Sequence, residues 1–126
     1  MNLDETSEDA AFRAEIRTWL SEHVTPVAGS TPTFAERYAF DRALADAGYL
    51  GRSWPGEFGG AGTGPVQASI MDEECAQVGF PRAQSPTRFG VDLLAPALFA
   101  HASPEQHEEL LPPIRRAETL WCQGFS

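Results

Sequence analysis

Five stretches of the chain carry apolar residues at helical spacing, and the segments between them are rich in Gly and Pro. In residues 7–22, Phe12, Ile16, Trp19 and Leu20 gather on one face, while Glu8, Asp9, Glu15, Arg17 and Glu22 fall largely elsewhere. Thr6 or Ser7 is placed to cap this helix, and Asp9 suits its positive end. After a turn-rich linker, Thr33 with Glu36 three residues on predicts a reciprocal cap. Phe34, Tyr38, Leu44 and the alanines at 35, 39, 43, 45 and 47 then form the buried side of a second helix, and Gly48 is its left-handed stop. Pro65 opens a third helix with a stripe of Val66, Ile70, Met71, Cys75 and Val78. Residues 89–101 read as a fourth, and Pro96 inside it predicts a kink or a junction of two shorter helices. Ser103, Pro104 and Gln106 are a strong start signal for a fifth, expected to stop where Leu111 meets Pro112 and Pro113. A short turn or helical piece is expected at 114–118.

Two segments break this pattern. Residues 48–65 hold seven glycines in eighteen positions, too many for a helix. Tyr49, Leu50, Trp54 and Phe58 are interleaved with them, which predicts an ordered loop packed on its apolar side. The other exception is 120–126, where Leu120, Trp121, Cys122 and Phe125 crowd a terminus that is ordinarily polar. That pattern is strand-like, with no partner strand elsewhere, as though the chain stopped on entering a sheet. The fold class expected is all-α, about six helices in an orthogonal up-and-down bundle, with a Gly/aromatic loop and a strand-like tail.

The chain has 126 residues, 42% of them hydrophobic, which suits one core. No apolar run reaches the roughly 20 residues of a membrane span, and the acidic start is unlike a targeting signal. Cytoplasmic location is the expectation. All nine basic residues are Arg, against 18 Asp and Glu, for a net charge of −9. Nucleic acid and anionic lipid are poor partners for such a chain.

Candidate chemistry is sparse. Cys75 and Cys122 are far apart and share no ligand spacing with His23, His101 or His107, so neither a disulfide framework nor a metal site is expected. Asp72, Glu73 and Glu74 diverge around a helix and are expected on a solvated face. His107, among Glu105, Glu108 and Glu109, reads as surface charge, and Cys122 beside Trp121 as a buried, inert thiol. No catalytic residue can be assigned.

One tract is more specific. Leu44, Gly48, Tyr49, Gly51, Trp54, Pro55, Glu57, Phe58, Gly59, Gly60 and Gly62 stand in the order and spacing of the amino-terminal signature of acyl-CoA dehydrogenases. Asp72-Glu73-Glu74-Cys75-Ala76, Gly79-Phe80-Pro81, and Pro104-Glu105-Gln106 with Leu111-Pro112-Pro113-Ile114 resemble later parts of the same family. Trp121-Cys122-Gln123-Gly124-Phe125-Ser126 is similar to the start of its flavin-contacting strand.

The resemblance implies an amino-terminal helical domain at 1–118 and, at 119–126, the first strand of a β-barrel domain outside this chain. It implies an FAD-dependent oxidation of an acyl-CoA thioester to its 2-enoyl product. A carboxylate on a carboxy-terminal helical bundle, also outside this chain, would take the α-proton while hydride passes to the flavin. By position, Gln123, Phe125 and Ser126 would contact the flavin, and Ser85, Phe89 and Leu93, four residues apart on one helix face, would line the acyl pocket. Phe89 pointing into that pocket would favour short or oddly shaped acyl groups. FAD is not expected to be held by this fragment alone. The implied partners are the acyl-CoA and the remaining domains or a partner subunit, in a homo- or hetero-oligomer. The alternative reading is a non-catalytic scaffold or partner subunit. Ala102 stands where the family usually has Gly, and a positive φ there would cost on the order of 1 kcal/mol.

Overall fold

The computed structural model describes residues 5–25 and 29–124. Its α-helices are α1 (Ser7–His23), α2 (Phe34–Asp46), α3 (Pro65–Gln77), α4 (Ala95–His101) and α5 (Pro104–Arg115). Two single 3-10 turns, Gly56–Phe58 and Arg82–Gln84, and a π-helical segment, Phe89–Leu94, complete the regular structure. No strand occurs among the described residues. The all-helical class is therefore as expected, and residues 120–124 are exposed and without regular structure.

The helix starts agree with the sequence signals. Thr6 accepts from the Asp9 amide at 3.0 Å, and Thr33–Glu36 and Ser103–Gln106 both close reciprocal capping boxes. Gly48 ends α2 at φ +82°. Pro96 does mark a junction, between the π segment and α4.

Several expectations are corrected. The buried face of α2 is Phe40, Asp41 and Leu44, whereas Phe34 is 54% exposed. Helix α5 does not stop at Pro112 but runs through both prolines to Arg115. The two missing amides would have bonded the carbonyls of Glu108 and Glu109, which are exposed residues, so the loss falls on the solvent side of the helix, where it costs least. Buried Leu111 and Ile114 keep the last turn packed. Ala102 is extended at φ −85°, and the positive φ falls instead on buried Ala117, at +56°, after α5. The Tyr38 hydroxyl donates to the Ala117 carbonyl at 2.6 Å and fixes that turn.

The apolar residues form two adjoining cores. One joins Phe12, Ile16 and Leu20 of α1 to Phe40 and Leu44 of α2 and Ile70 and Cys75 of α3. The other joins Leu50 and Trp54 of the Gly-rich loop to Val91, Ala95, Leu111, Ile114 and Ala117. Glu74, expected in solvent, is buried between α1 and α3. Arg17 donates to it at 2.6 and 3.2 Å, and Arg13 stands 3.8 Å away. Burying a carboxylate is costly unless it is paired and hydrogen-bonded in this way.

Candidate functional site

The Gly-rich loop, the π segment and the tail meet in one place. Trp54 is 3% exposed. Its indole ring meets Phe99 edge-on at 5.4 Å, and Phe58 stacks flat on the other side of that cluster, 4.6 Å from Phe99. His107 abuts the Phe58 ring at 4.8 Å and bonds the Leu98 carbonyl through Nε2. It is part of this aromatic packing, not the surface charge expected of it. The loop closes so tightly on the tryptophan that a Cβ at Gly60 would lie 2.0 Å from the Trp54 carbonyl oxygen. That is why the expected ordered loop needs glycine at this place.

Trp54 Nε1 donates to the carbonyl of Val91 at 3.1 Å, within the π segment. One residue earlier, Gly90 is bare toward the tail: a Cβ there would meet Trp121 Cδ1 at 3.2 Å and Ile114 Cγ2 at 3.3 Å. Trp121 lies over Gly90 and donates from Nε1 to the Thr119 hydroxyl at 3.2 Å. The tail is thus seated directly on the segment that holds Phe89 and Leu93.

The segment's entry is fixed by a buried carboxylate that the sequence pattern does not flag. Asp41 is 1% exposed and accepts from Arg82 Nη1 at 2.6 Å, from the Ser85 hydroxyl, from the Thr87 hydroxyl at 2.8 Å and from the Thr87 amide at 3.1 Å. Four donors on one carboxylate tie residues 82–87 to α2. The signal available was weak: an Asp within a run of Ala and aromatic residues, with Ser85 and Thr87 more than forty positions away in sequence.

Of the residues singled out from the sequence, Phe89 is half-buried and Leu93 59% exposed, both within the π segment. Ser85 is corrected: it precedes that segment, capping the Arg82–Gln84 turn, and its hydroxyl is engaged by Asp41 and Thr87, so the three residues do not share one helix face. Gln123 is exposed on the tail, and Phe125 and Ser126 lie outside the described residues. Cys122 is exposed and not buried as expected, while Cys75 is the buried thiol. Leu93, Leu120 and Trp121 are large apolar groups left open around the tail.

A separate cavity of about 210 Å³ lies between the two cores, bounded by Phe12, Leu50, Arg52, Gln67 and Val91. The Arg52 guanidinium lies over the Phe12 ring at 4.8 Å, and Arg52 Nε and Gln67 Oε1 are buried without a protein partner. A donor and an acceptor on one small polar cavity are what ordered water bridges.

The family model for "Acyl-CoA dehydrogenase, N-terminal domain" matches residues 6–118, and the chain belongs to that family. It is 34% identical over 91% of its length to acyl-CoA dehydrogenase IpdE1 of Mycobacterium tuberculosis, covering 32% of that protein. It is 32% identical over its whole length to acyl-CoA dehydrogenase FadE29 of the same organism, covering 33%. The chain therefore spans about a third of the length of the curated relatives it matches. In fold it is similar to a chain of the ChsE4-ChsE5 complex from Mycobacterium tuberculosis, at TM-score 0.75 and 24% identity, over 94% of this chain and 30% of that one. It is similar also to the Tcur3481-Tcur3483 steroid ACAD, at TM-score 0.73 and 24% identity, over 95% and 32%.

Proposed function

We propose that this domain walls the acyl pocket and covers the flavin of an FAD-dependent acyl-CoA dehydrogenase that forms 2-enoyl-CoA. The observation that carries this reading is the contact of Trp121 with Gly90, because it joins the candidate acyl wall to the candidate flavin strand with no spacer between them. Residues 120–124 make no backbone hydrogen bond to another described residue, so their amides and carbonyls, with the Gln123 side chain, are free for a polar ring edge. That donor set fits a flavin. Gln123, Phe125 and Ser126 would hold it, and when bound it supplies the acceptor for hydride. In this reading Phe89 and Leu93 exclude water from the acyl chain and limit its length, and the proton-abstracting carboxylate comes from outside this chain.

The test uses the full-length protein. Anaerobic addition of acyl-CoA is expected to bleach the flavin band at about 450 nm, and no bleaching with any of a panel of acyl-CoAs rejects the reading. Short, long straight-chain and steroid-side-chain esters form the panel, because Phe89 in the wall favours compact or ring-bearing groups. Phe89→Ala is expected to raise relative activity on the long straight chain, and an unchanged preference removes Phe89 from the pocket. The 126-residue chain alone is expected to purify without flavin.

A second reading, a partner subunit of a heteromeric enzyme, is favoured by one observation: the ChsE4-ChsE5 and Tcur3481-Tcur3483 neighbours are both two-component assemblies. Copurification of a second, distinct polypeptide with the full-length protein distinguishes it.

A further inference from the structure

The wide turn at Phe89–Leu94 has a traceable cause. The Val91 amide still bonds four residues back, to Thr87, but the Ala95 amide bonds five back, to Gly90. This shift takes from the Val91 carbonyl its α-helical donor. The residue five positions on is Pro96, which has no N–H to offer. Val91 is 5% exposed, so water is a poor substitute, and a buried carbonyl without a donor is costly. The indole of Trp54 fills the vacancy from another part of the chain. One extra residue in a helical turn rotates the residues before it by about 100° relative to those after it. Phe89 and Leu93 lie before the turn's end, and α4 lies after it.

We propose that Trp54 and Pro96 are a matched pair of positioning residues. The proline withholds a backbone donor, the indole replaces it, and the register so fixed sets how Phe89 and Leu93 project toward the acyl group and which acyl shapes fit. This rests on the reading of Phe89 and Leu93 as pocket wall. Trp54 itself lies behind that wall, buried among Leu50, Ala95 and Leu111. Asp41 holds the segment's entry and Trp121 covers it at Gly90, so the chain is anchored on the side before the wide turn.

The test needs three variants of the full-length protein. Trp54→Phe keeps a ring and removes the N–H, Pro96→Ala returns a backbone N–H, and the third carries both. Trp54→Phe is expected to speed amide hydrogen exchange across residues 88–98 and lower the melting temperature. Adding Pro96→Ala is expected to restore both, because residue 96 can then bond the Asp92 carbonyl in the α register, which returns the Ala95 amide to the Val91 carbonyl. Pro96→Ala alone is expected to shift the ratio of kcat/KM between a long straight-chain and a ring-bearing acyl-CoA by about tenfold. The change is expected in KM more than in kcat, as for an altered ground-state fit.

Absence of rescue in the double variant overturns the pairing. A wide turn that persists unchanged in Pro96→Ala overturns the role of the proline. A re-registered helix with an unchanged substrate ratio overturns the link to specificity. Should the wild-type enzyme turn over neither ester, the pocket reading fails, while the exchange and melting measurements, which need no turnover, still decide the pair.

Discussion

A methyl group at position 60 has nowhere to go. Its Cβ would overlap the Trp54 backbone, which unlike a flexible side chain cannot swing aside. Gly60→Ala is therefore expected to destabilise the fold by about 3 kcal/mol or more. Gly56→Ala, where nothing lies within 4 Å, is expected to cost no more than about 1 kcal/mol. Urea unfolding followed by tryptophan fluorescence compares the two, and equal midpoints would refute the account of the loop. The two thiols differ as sharply. Burial pushes the Cys75 thiol up to about 12, while Cys122 is exposed. A thiol reagent at neutral pH is expected to label Cys122 alone until the chain is unfolded. Because the folded state holds the Cys75 proton more tightly than the unfolded state, stability is expected to fall as pH rises from about 9 toward about 12. Tyr49, pushed up to about 12 by burial and its bond to Glu15, acts in the same direction. Denaturation midpoints across that range test this, and Cys75→Ala is expected to flatten the slope.

At the scale of elements, the helix starts were legible because capping is local: Thr33 and Glu36, or Ser103 and Gln106, need only each other. Helix ends were less so. Two prolines in α5 read as a stop, yet their cost depends on whether the carbonyls four residues back face water, which is a tertiary fact. The π segment was legible only as a disturbance at Pro96, since the donor that makes it tenable lies on the distant Trp54. Asp41 was invisible for the same reason: its four donors come from residues 82–87, and no local pattern marks a carboxylate as an anchor. Its removal is expected to matter. Asp41→Ala leaves the Arg82 guanidinium without its carboxylate and Thr87 with only the longer contacts to Ser85 Oγ, and should cost about 2–4 kcal/mol, measured by urea unfolding.

For the whole molecule, two cores meet along the loop that carries Tyr49, Leu50, Arg52 and Trp54. The sequence marked these residues as a packed loop but not as the seam between two interiors, since that depends on which helices the glycines admit. The tail was legible as an anomaly of composition, and its docking over Gly90 was not, because a bare glycine inside an apolar run carries no sign of what approaches it. Of the candidate site, Phe89 and Leu93 were put forward through a family resemblance and share the π segment, whereas Ser85 lies before that segment and not on its face.

The exchange of a proline's missing donor for an indole has an evolutionary reading. A homologue with an ordinary amino acid in place of Pro96 supplies its own amide, and selection for an indole at the counterpart of Trp54 is relaxed. The identities at these two sites should drift together across the family, and compact aliphatic residues should replace the tryptophan chiefly where the proline has gone.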